Sequence, residues 1–267
     1  MCIRDSGRTS REPTRTDYLL DDRAIQDVKQ TDIKPEIVTD IEIGADYVSD
    51  KIRINANLYA MEFQNDIAAT GEYNAVGYLK RRNVGSSFRR GIELSARIKI
   101  TPWLALIVNS NLSKNRIKGF DQTYYVKDDN QNDSAIYINY RNVNPVLTPA
   151  IITNQGFRFT PVKWFYADIT SRYVGKAYLD NTNNEILTTP EYWLFDFSAG
   201  LKLNQWLNVA EANLIFHANN FTDTKYYPSG TPNHSFVNEG GMIKEVASPN
   251  YFAAATRNFF LTLQMKF

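Results

Sequence analysis

The sequence is poor in the residues that build disulfide-rich and metal-binding domains. Its 267 residues include one cysteine, Cys2, and two histidines, His217 and His234. One cysteine cannot form an internal disulfide framework, and two distant histidines do not make the clustered ligand set of a metal centre. The sequence therefore predicts neither a disulfide scaffold nor a metal site.

Long apolar runs and an excess of one charge are also lacking. The mean hydropathy is −0.41, and no apolar run reaches the roughly 18 residues that mark a transmembrane helix. Lys and Arg number 30 against 29 Asp and Glu, so no basic surface for nucleic acid is indicated. A membrane barrel is not excluded, because its strands alternate in polarity and their mean hydropathy stays low.

What the sequence does have is apolar residues at every second position, most clearly at its end, "RNFFLTLQMKF". A strand places successive side chains on opposite faces. One face of this strand carries Phe259, Leu261, Leu263, Met265 and Phe267. The other face carries Phe260, Thr262, Gln264 and Lys266. An apolar strand at the edge of a small soluble sheet would promote aggregation. This pattern therefore indicates a partner strand and an apolar environment.

The same alternation recurs along the chain and predicts about nine strands. They are expected at residues 37–49, 51–68, 78–100, 103–117, 148–160, 163–177, 190–203, 208–219 and 251–267. Single-chain bacterial barrels close with an even number of strands. Either a strand near the N-terminus escapes this pattern, or the chain is the C-terminal part of a larger barrel.

The predicted connections alternate between short turns and long polar loops. Short turns are expected at 49–50, 101–102, 160–163 and 204–205, and long loops at 69–78, 117–147, 176–190 and 220–250. Trp103, Trp164, Trp193 and Trp206 lie near strand ends, where an aromatic girdle is expected. This asymmetry favours a single antiparallel sheet around a wet lumen, with its apolar face in lipid, over a two-sheet sandwich.

The first residues, "MCIRDSGRTS", show no apolar core and no periodicity. They do not form a signal peptide. We interpret residues 1–9 as a non-native start and residues 10–267 as one barrel domain.

The polar segments and charges of the sequence have ordinary structural explanations. The segment "DDNQND" at 128–133 has oxygen ligands but lacks the spacing of a calcium loop, so a solvated loop tip is favoured. Charges on the predicted lumen face are expected to pair with one another or with a plug; they are Glu93, Arg97, Asp168, Arg172, Asp196 and Lys202. No nucleophile–base motif stands out, so neither an enzyme nor a cofactor site is predicted.

Six segments in order resemble the C-terminal half of a TonB-dependent receptor of the outer membrane. They are "REPTRTDY" (11–18), "IKPEIVTDIEIGADY" (33–47), "NVGSSFRRGIELSA" (83–96), "YVGKAYLDNTNNE" (173–185), "HANNFTDTKYYPSG" (217–230) and "AAATRNFFLTLQMKF" (253–267). The resemblance implies part of a 22-stranded barrel with an internal plug, energised by TonB, that imports a scarce solute such as a ferric siderophore or cobalamin. It also implies extracellular long loops and a periplasmic C-terminus. Phe259, Leu261, Leu263, Met265 and Phe267 then resemble the signal that the barrel-assembly machinery recognises. This sequence lacks the family's signal peptide, TonB box and plug.

Two functional classes stay open, an energised receptor and a passive porin or structural barrel protein. Tyrosines in the two longest loops are candidates for stacking on a ligand, because tyrosine combines a large contact area with one polar tip. We predict this role for Tyr124, Tyr125, Tyr226 and Tyr227. The alternative is that these side chains pack the loops on one another.

Overall fold

The computed structural model describes residues 2–17, 33–73, 79–127, 133–204 and 209–266. These residues form antiparallel strands, and none of them lies in a helix long and apolar enough to cross a membrane. The strands are β1 (Cys2–Arg11), β2 (Glu36–Val48), β3 (Ile52–Gln64), β4 (Ile67–Tyr73), β5 (Leu79–Asn83), β6 (Ser86–Thr101), β7 (Leu104–Lys127), β8 (Asp133–Val143), β9 (Ile151–Val162), β10 (Phe165–Val174), β11 (Ala177–Tyr178), β12 (Thr188–Thr189), β13 (Tyr192–Lys202), β14 (Glu211–Asn219), β15 (Ser229–Glu239), β16 (Met242–Phe252) and β17 (Asn258–Lys266).

One large sheet organises the molecule. Its strand order is β1-β2-β3-β6-β7-β9-β10-β13-β14-β17, with β8 paired to β7 beside this path. Every pairing along the path is antiparallel, as between β2 and β3 or between β14 and β17. The prediction of a single antiparallel meander is confirmed, and the nine predicted strands all correspond to strands of this path.

The count of about nine strands was too low by one along the path. Residues 2–11 form β1, which pairs with β2 from Cys2 opposite Ala45 to Arg11 opposite Glu36. The sequence pattern missed this strand because its polar residues show no apolar alternation. The strand β1 is instead stabilised by its backbone hydrogen bonds with β2, which do not require apolar side chains. The boundary that treats residues 1–9 as non-native stays a prediction.

The predicted long loops are more ordered than expected. Residues 117–127 continue β7 beyond the main sheet and pair with β8, and β15 pairs with β16 along its whole length. Two shorter hairpins, β4–β5 and β11–β12, occupy the other long connections. In the described parts of these connections, local pairing thus satisfies backbone hydrogen bonds that extended polar loops would leave to water.

The main sheet has an apolar face and a polar face. In β6 the apolar face carries Ile92 and Leu94, which are 45% and 38% exposed. The register keeps this face continuous, since Leu58 pairs with Ile92, and Ile92 with Leu112. So large an exposed apolar surface fits contact with lipid better than contact with water.

The polar face is cross-linked by side chains of neighbouring strands. Asn57 Nδ2 donates to Glu42 Oε2 at 3.0 Å, and Arg158 donates twice to the carboxylate of Asp168, at 2.7 and 2.9 Å. Of the predicted lumen charges, Asp168 thus pairs with a cation outside that set. Arg172 donates to an amide oxygen, that of Asn154, at 2.8 Å.

Two tyrosines of the polar face lie over glycines of the neighbouring strand. Tyr59 is opposite Gly91, and Tyr166 is opposite Gly200. A Cβ at Gly91 would stand 2.6 Å from Tyr59 Oη, and a Cβ at Gly200 would overlap the Tyr166 ring. Glycine is therefore required at both positions to let the ring lie flat on the sheet.

The three tryptophans among the described residues lie at strand ends, as predicted. Trp103 and Trp164 occupy the turns after β6 and β9, while Trp193 is the second residue of β13, at its loop end. All three are about two-fifths exposed. Trp206 lies outside the described residues. The two ends of the apolar face are thus marked by aromatic side chains, as expected for a girdle.

Candidate functional site

A cluster of buried apolar side chains lies among the hairpins at the loop end of the sheet. A core cluster consists of Ala68, Val84, Ile117, Phe120 and Val143. These residues come from the strands β4, β7 and β8 and from the turn after β5. The hairpins are therefore joined by a core of their own, beyond the membrane-facing part of the sheet.

The segment between β11 and β12 is held beside this core by a buried asparagine, Asn181. Asn181 Nδ2 donates to the carbonyl oxygen of Ala69 at 2.6 Å, and its Oδ1 accepts from the amide of Val146 at 3.1 Å. Leu179 and Leu187, at the two ends of the segment, are fully buried. Asn181 thus joins the β11–β12 segment to β4 and to the segment between β8 and β9.

His234, on β15, lies at the point where three hairpins meet. Its Nε2 is 2.8 Å from Glu245 Oε1 on β16, and its Nδ1 is 3.5 Å from Asp180 Oδ2 in the β11–β12 segment. Nδ1 also lies 3.1 Å from Tyr124 Oη on β7, and Tyr124 is in contact with Tyr140 Oη at 3.2 Å. The side chains of His234 and Asp180 are only 6% and 7% exposed.

The charges around His234 favour its protonated form. Burial by itself lowers the pKa of His234, but hydrogen bonds and the negative charges of Asp180 and Glu245 outweigh it, so the pKa is raised above its ordinary value. Burial raises the pKa of Tyr140, although its hydrogen bond with Tyr124 acts in the opposite direction. The cluster thus places the His234 imidazole between two acidic side chains, which favour its protonation, beside a phenol whose pKa is raised.

Sequence reasoning placed His234 in a loop and did not connect it with Asp180 or Glu245. One signal was available for Glu245. The Gly240–Gly241 pair has positive φ angles of 62° and 82°, the conformation that a two-residue hairpin turn requires. Reading that turn would have placed His234 and Glu245 as diagonal neighbours on one face. Nothing in the sequence points to Asp180.

The predicted ligand-binding tyrosines occupy different environments. Tyr124 is packed edge-on against His234 and Phe236, with ring centroids 5.1 and 4.8 Å away. Tyr125, its neighbour in β7, is 75% exposed. Tyr124 therefore takes part in loop packing, while Tyr125 is accessible to solvent.

Tyr226 and Tyr227 lie in the segment that leads into β15. Tyr226 packs on Tyr192 with a centroid distance of 4.6 Å, and Tyr227 stacks on Tyr251 at 4.7 Å. Tyr251 in turn donates to the carbonyl oxygen of Thr188 at 2.9 Å. The Tyr226–Tyr192 pair thus joins the segment before β15 to β13, and the Tyr251–Thr188 hydrogen bond joins β16 to β12.

A cavity of about 320 Å³ opens on the polar face below these aromatic pairs. It is lined by Arg172, Asn154, Tyr192, Thr189 and Pro228, among others. Arg172 supplies a guanidinium and Tyr192 an aromatic surface, a combination suited to an anionic, aromatic solute.

No metal centre is formed by the described parts of the chain, since no group of three or more His, Cys, Asp or Glu side chains is arranged to hold an ion. His217 lies on β14, opposite Phe260, whereas His234 lies on β15. The oxygen-rich segment at 128–133 falls almost wholly outside the described residues.

The C-terminal strand β17 shows the predicted alternation. Leu261 pairs with Phe216 and Leu263 with Leu214, so the apolar faces of β14 and β17 coincide. Phe259, Leu261 and Leu263 are each more than half exposed, and Met265 is 39% exposed. Phe267 lies outside the described residues. The role of this strand in assembly stays a prediction.

Comparison with known proteins identifies the fold. A family model described as "TonB dependent receptor-like, beta-barrel" matches residues 7–221. No curated protein matches the sequence. Among solved structures, the chain is similar over its whole length to the ferric-catecholate import receptor Fiu from E. coli K12. The TM-score is 0.62 and the identity 17%, and 33% of the Fiu chain is covered.

Two further structures give the same result. The copper transporter OprC matches all of this chain with a TM-score of 0.67 and 16% identity, over 38% of OprC. The ferric citrate transporter FecA matches 87% of it with a TM-score of 0.59 and 17% identity, over 32% of FecA. The chain therefore spans about a third of the length of these receptors. With the family model covering most of its residues and its sheet matching the same barrels, the chain belongs to the TonB-dependent receptor-like β-barrel family.

Proposed function

We propose that this chain contributes barrel strands to an outer-membrane receptor that takes up a scarce solute with energy supplied through TonB. The observation that carries the proposal is the family match over residues 7–221. In this proposal the ordered hairpins face the cell exterior and the short turns face the periplasm. The receptor's own plug fills the barrel and the TonB complex acts on that plug.

The packing of the hairpins supports a receptor over a passive porin. A porin needs an open aqueous channel. Here the β15–β16 hairpin contacts the β11–β12 segment through the Tyr251–Thr188 hydrogen bond and the Asp180–His234 ion pair. Hairpins tied in this way can enclose a solute. A passive porin or structural barrel is the alternative.

We infer that the solute is an anionic metal chelate. The similar structures include receptors for ferric catecholate and ferric citrate. In this chain, Arg172 and Tyr192 line the cavity below the hairpins, and Tyr226 packs on Tyr192. Tyr125, with three-quarters of its surface exposed, is available for a first contact.

An uptake assay tests the proposal. The complete gene is expressed in cells that lack their own ferric-siderophore receptors, and accumulation of radioactive iron is measured with a panel of ferric siderophores and ferric citrate. Accumulation that disappears when tonB is deleted supports the energised receptor. Accumulation that is unchanged without TonB supports the porin, and no accumulation of any chelate contradicts the assignment of the solute.

A further inference from the structure

Four polar side chains lie together on the apolar face of the main sheet. Ser110 of β7 is opposite Leu94 of β6 and therefore lies on the face that fits contact with lipid. Thr153 of β9 is opposite Ser110. Gln155 follows two residues after Thr153 on the same face, opposite Ser171 of β10. Ser110, Thr153, Gln155 and Ser171, all half-buried, form what we call the polar cluster.

The polar cluster interrupts an apolar band. On β9 the residues of this face are Ile151, Thr153, Gln155, Phe157 and Phe159, and the three apolar ones are exposed. They span about 26 Å along the strand at roughly 3.3 Å per residue, which a tilted strand fits within an apolar band of about 25 Å. Gln155 is the middle residue of the five. Hydrocarbon offers no hydrogen bonds, so polar groups at this depth need protein partners.

Hydrogen bonds run through the polar cluster in one direction. Thr153 Oγ1 donates its proton to Gln155 Oε1 at 3.1 Å. Ser110 must therefore be the donor in its 2.6 Å contact with Thr153. Gln155 Nε2 donates to Ser171 Oγ at 2.7 Å. The Ser171 proton and the lone pairs of Ser110 Oγ have no further partner among the described residues, so the cluster ends in a donor on β10 and an acceptor on β7.

The two ends of the polar cluster are complementary to each other. Two barrels inserted in the same orientation can be related by a two-fold axis along the membrane normal, which brings the same surface of each copy into contact. Across that axis, the β10 edge of one cluster lies opposite the β7 edge of the other. The donor of Ser171 in each copy then meets the acceptor of the partner's Ser110.

The depth and the width of the polar cluster agree with this arrangement. Ser110 lies one position of the apolar face below Leu112, which Lys114 follows, and Ser171 lies one position below Tyr173, near the loop end of β10. The two hydroxyls are therefore at similar depth. Convex barrels touch along a narrow strip, and the cluster spans three neighbouring strands, about 10 Å at roughly 4.8 Å between strands.

We propose that the polar cluster is the contact site of a homodimer in the membrane, in which Ser171 of each copy donates to the partner's Ser110. Val108, opposite Gln155, and Ile169, which is exposed, provide apolar contacts beside it. An acyl chain would leave both ends of the cluster without a hydrogen bond in hydrocarbon.

A different membrane protein would have to present a donor and an acceptor at the matching separation, which a second copy does by symmetry. The dimer goes beyond solute uptake and depends only on the apolar face lying in lipid. Failure of the uptake proposal would leave it unaffected.

Cysteine cross-linking tests the geometry of the dimer. Two differently tagged copies of the complete gene, both without other cysteines, are expressed together, and the outer membranes are oxidised with copper phenanthroline. One copy carries Ser110→Cys and the other Ser171→Cys. The controls carry Ser110→Cys in both copies, or Ser171→Cys in both. All three combinations place thiols at similar depth, so random collision would cross-link them equally.

We expect the mixed pair to cross-link and both controls to remain at the level of random collision. In the two-fold dimer, equivalent cysteines of the two copies are about 10 Å apart across two strand spacings, whereas a disulfide joins Cα atoms no more than roughly 7 Å apart. Equal cross-linking of all three combinations would overturn the proposal. Absence of the mixed product would also overturn it, since lipid or another protein would then cover the cluster.

Removal of the acceptor tests the chemistry of the contact. Ser110→Ala keeps the hydrogen bonds of Gln155 with Thr153 and Ser171 and removes the acceptor at both symmetric contacts. Energy transfer between two labelled copies of the full-length protein in lipid vesicles measures the dissociation constant. We expect the variant dimer to be about tenfold weaker, because each hydrogen bond between transmembrane segments contributes roughly threefold.

Ser95→Ala is the matched control, because it removes a serine hydroxyl from the opposite face of β6, where Ser95 donates to Asn109 at 2.9 Å. It should dimerise as the unaltered protein does, and heat-modifiable mobility shows whether both variants are folded. If Ser110→Ala destabilises the barrel, Ser110→Thr, which keeps the hydroxyl, should restore both folding and the dimer. Unchanged affinity of folded Ser110→Ala would overturn the proposal.

Discussion

His234 Nε2 lies 2.8 Å from Glu245 Oε1 across the β15–β16 hairpin, while the other ring nitrogen faces Asp180 of a separate connection. A neutral imidazole has one N–H and can satisfy only one of these carboxylates. The imidazolium satisfies both. The proton on His234 therefore ties the β15–β16 hairpin to the β11–β12 segment.

The first prediction is that this contact between the hairpins weakens as the pH rises through the folded pKa of His234. The pKa of His234 is raised in the folded protein, so its stabilising contribution is complete below the unfolded value of about 6.5. That contribution is lost as the pH rises through the folded value. Hydrogen exchange, corrected for the intrinsic pH dependence of exchange, should show residues 229–252 opening more readily above the folded pKa. Residues 52–64 should show no such change.

The matched variant for this prediction is His234→Gln. Glutamine keeps a hydrogen-bond donor but does not titrate, so the pH dependence of exchange in residues 229–252 should disappear. A hydrogen bond to a charged group contributes about 1.5–3 kcal/mol, and the variant hairpin should be less protected by about that amount at pH 5. If the variant keeps the pH dependence, another group is responsible.

The transmembrane part of the fold could be predicted because lipid imposes a strict pattern on it. Alternation such as Ile92, Leu94 and Ile98 is visible in one sequence, and it located every strand of the main path except β1. That strand has a polar sequence and is specified by its pairing with β2, which no local pattern reveals.

The hairpin region could not be predicted to the same extent. Its contacts join residues distant in the sequence, such as Asn181 with Ala69 and Asp180 with His234. These contacts depend on packing between hairpins that are distant in the sequence. A single sequence does not show which hairpins pack together. The tyrosine-rich segments were identified, but the packing of Tyr124 against His234 was not.

The second prediction concerns the ring of Tyr166 over Gly200. Gly200→Ala places a Cβ where the ring now lies, so the ring must leave the sheet surface. We expect the free energy of unfolding to fall by about 1–3 kcal/mol. Urea titration of heat-modifiable gel mobility measures this. Gly119→Ala is the control, because its added Cβ would meet only the carbonyl oxygen of Tyr140, at an ordinary contact distance of 3.5 Å, and equal stability of the two variants would contradict the prediction.

The third prediction tests which face of β17 meets lipid. Leu261 and Thr262 are neighbours on opposite faces, opposite Phe216 and Ile215. Lysine on a lipid-facing site near the bilayer midplane costs about 2–4 kcal/mol. Leu261→Lys should therefore lower the amount of assembled protein in the outer membrane, measured by heat-modifiable mobility, while Thr262→Lys should have little effect. Equal effects of the two substitutions would contradict the assignment of the faces.

The fourth prediction concerns capture of the solute by the loop tyrosines. We expect replacement of Tyr125 or Tyr226 by alanine to weaken binding of the transported chelate about threefold to tenfold, since a stacked aromatic contact contributes about 0.5–1.5 kcal/mol beyond burial. Replacement of Tyr124, Tyr125, Tyr226 and Tyr227 together should weaken it much more. Binding is measured on cells with the chelate that the uptake assay identifies, at matched surface expression.

Two controls separate capture of the solute from packing of the loops. Tyr124→Phe keeps the ring contacts with His234 and Phe236 and removes only the hydroxyl, so it should retain most of the binding that Tyr124→Ala loses. Tyr47→Ala changes an exposed tyrosine at the short-turn end of β2 and should leave affinity unchanged. Tyr125 decides between the two roles because it is exposed and its removal disturbs the loop core least. If Tyr125→Ala binds normally while Tyr124→Ala does not, these tyrosines hold the hairpins in place and do not contact the solute.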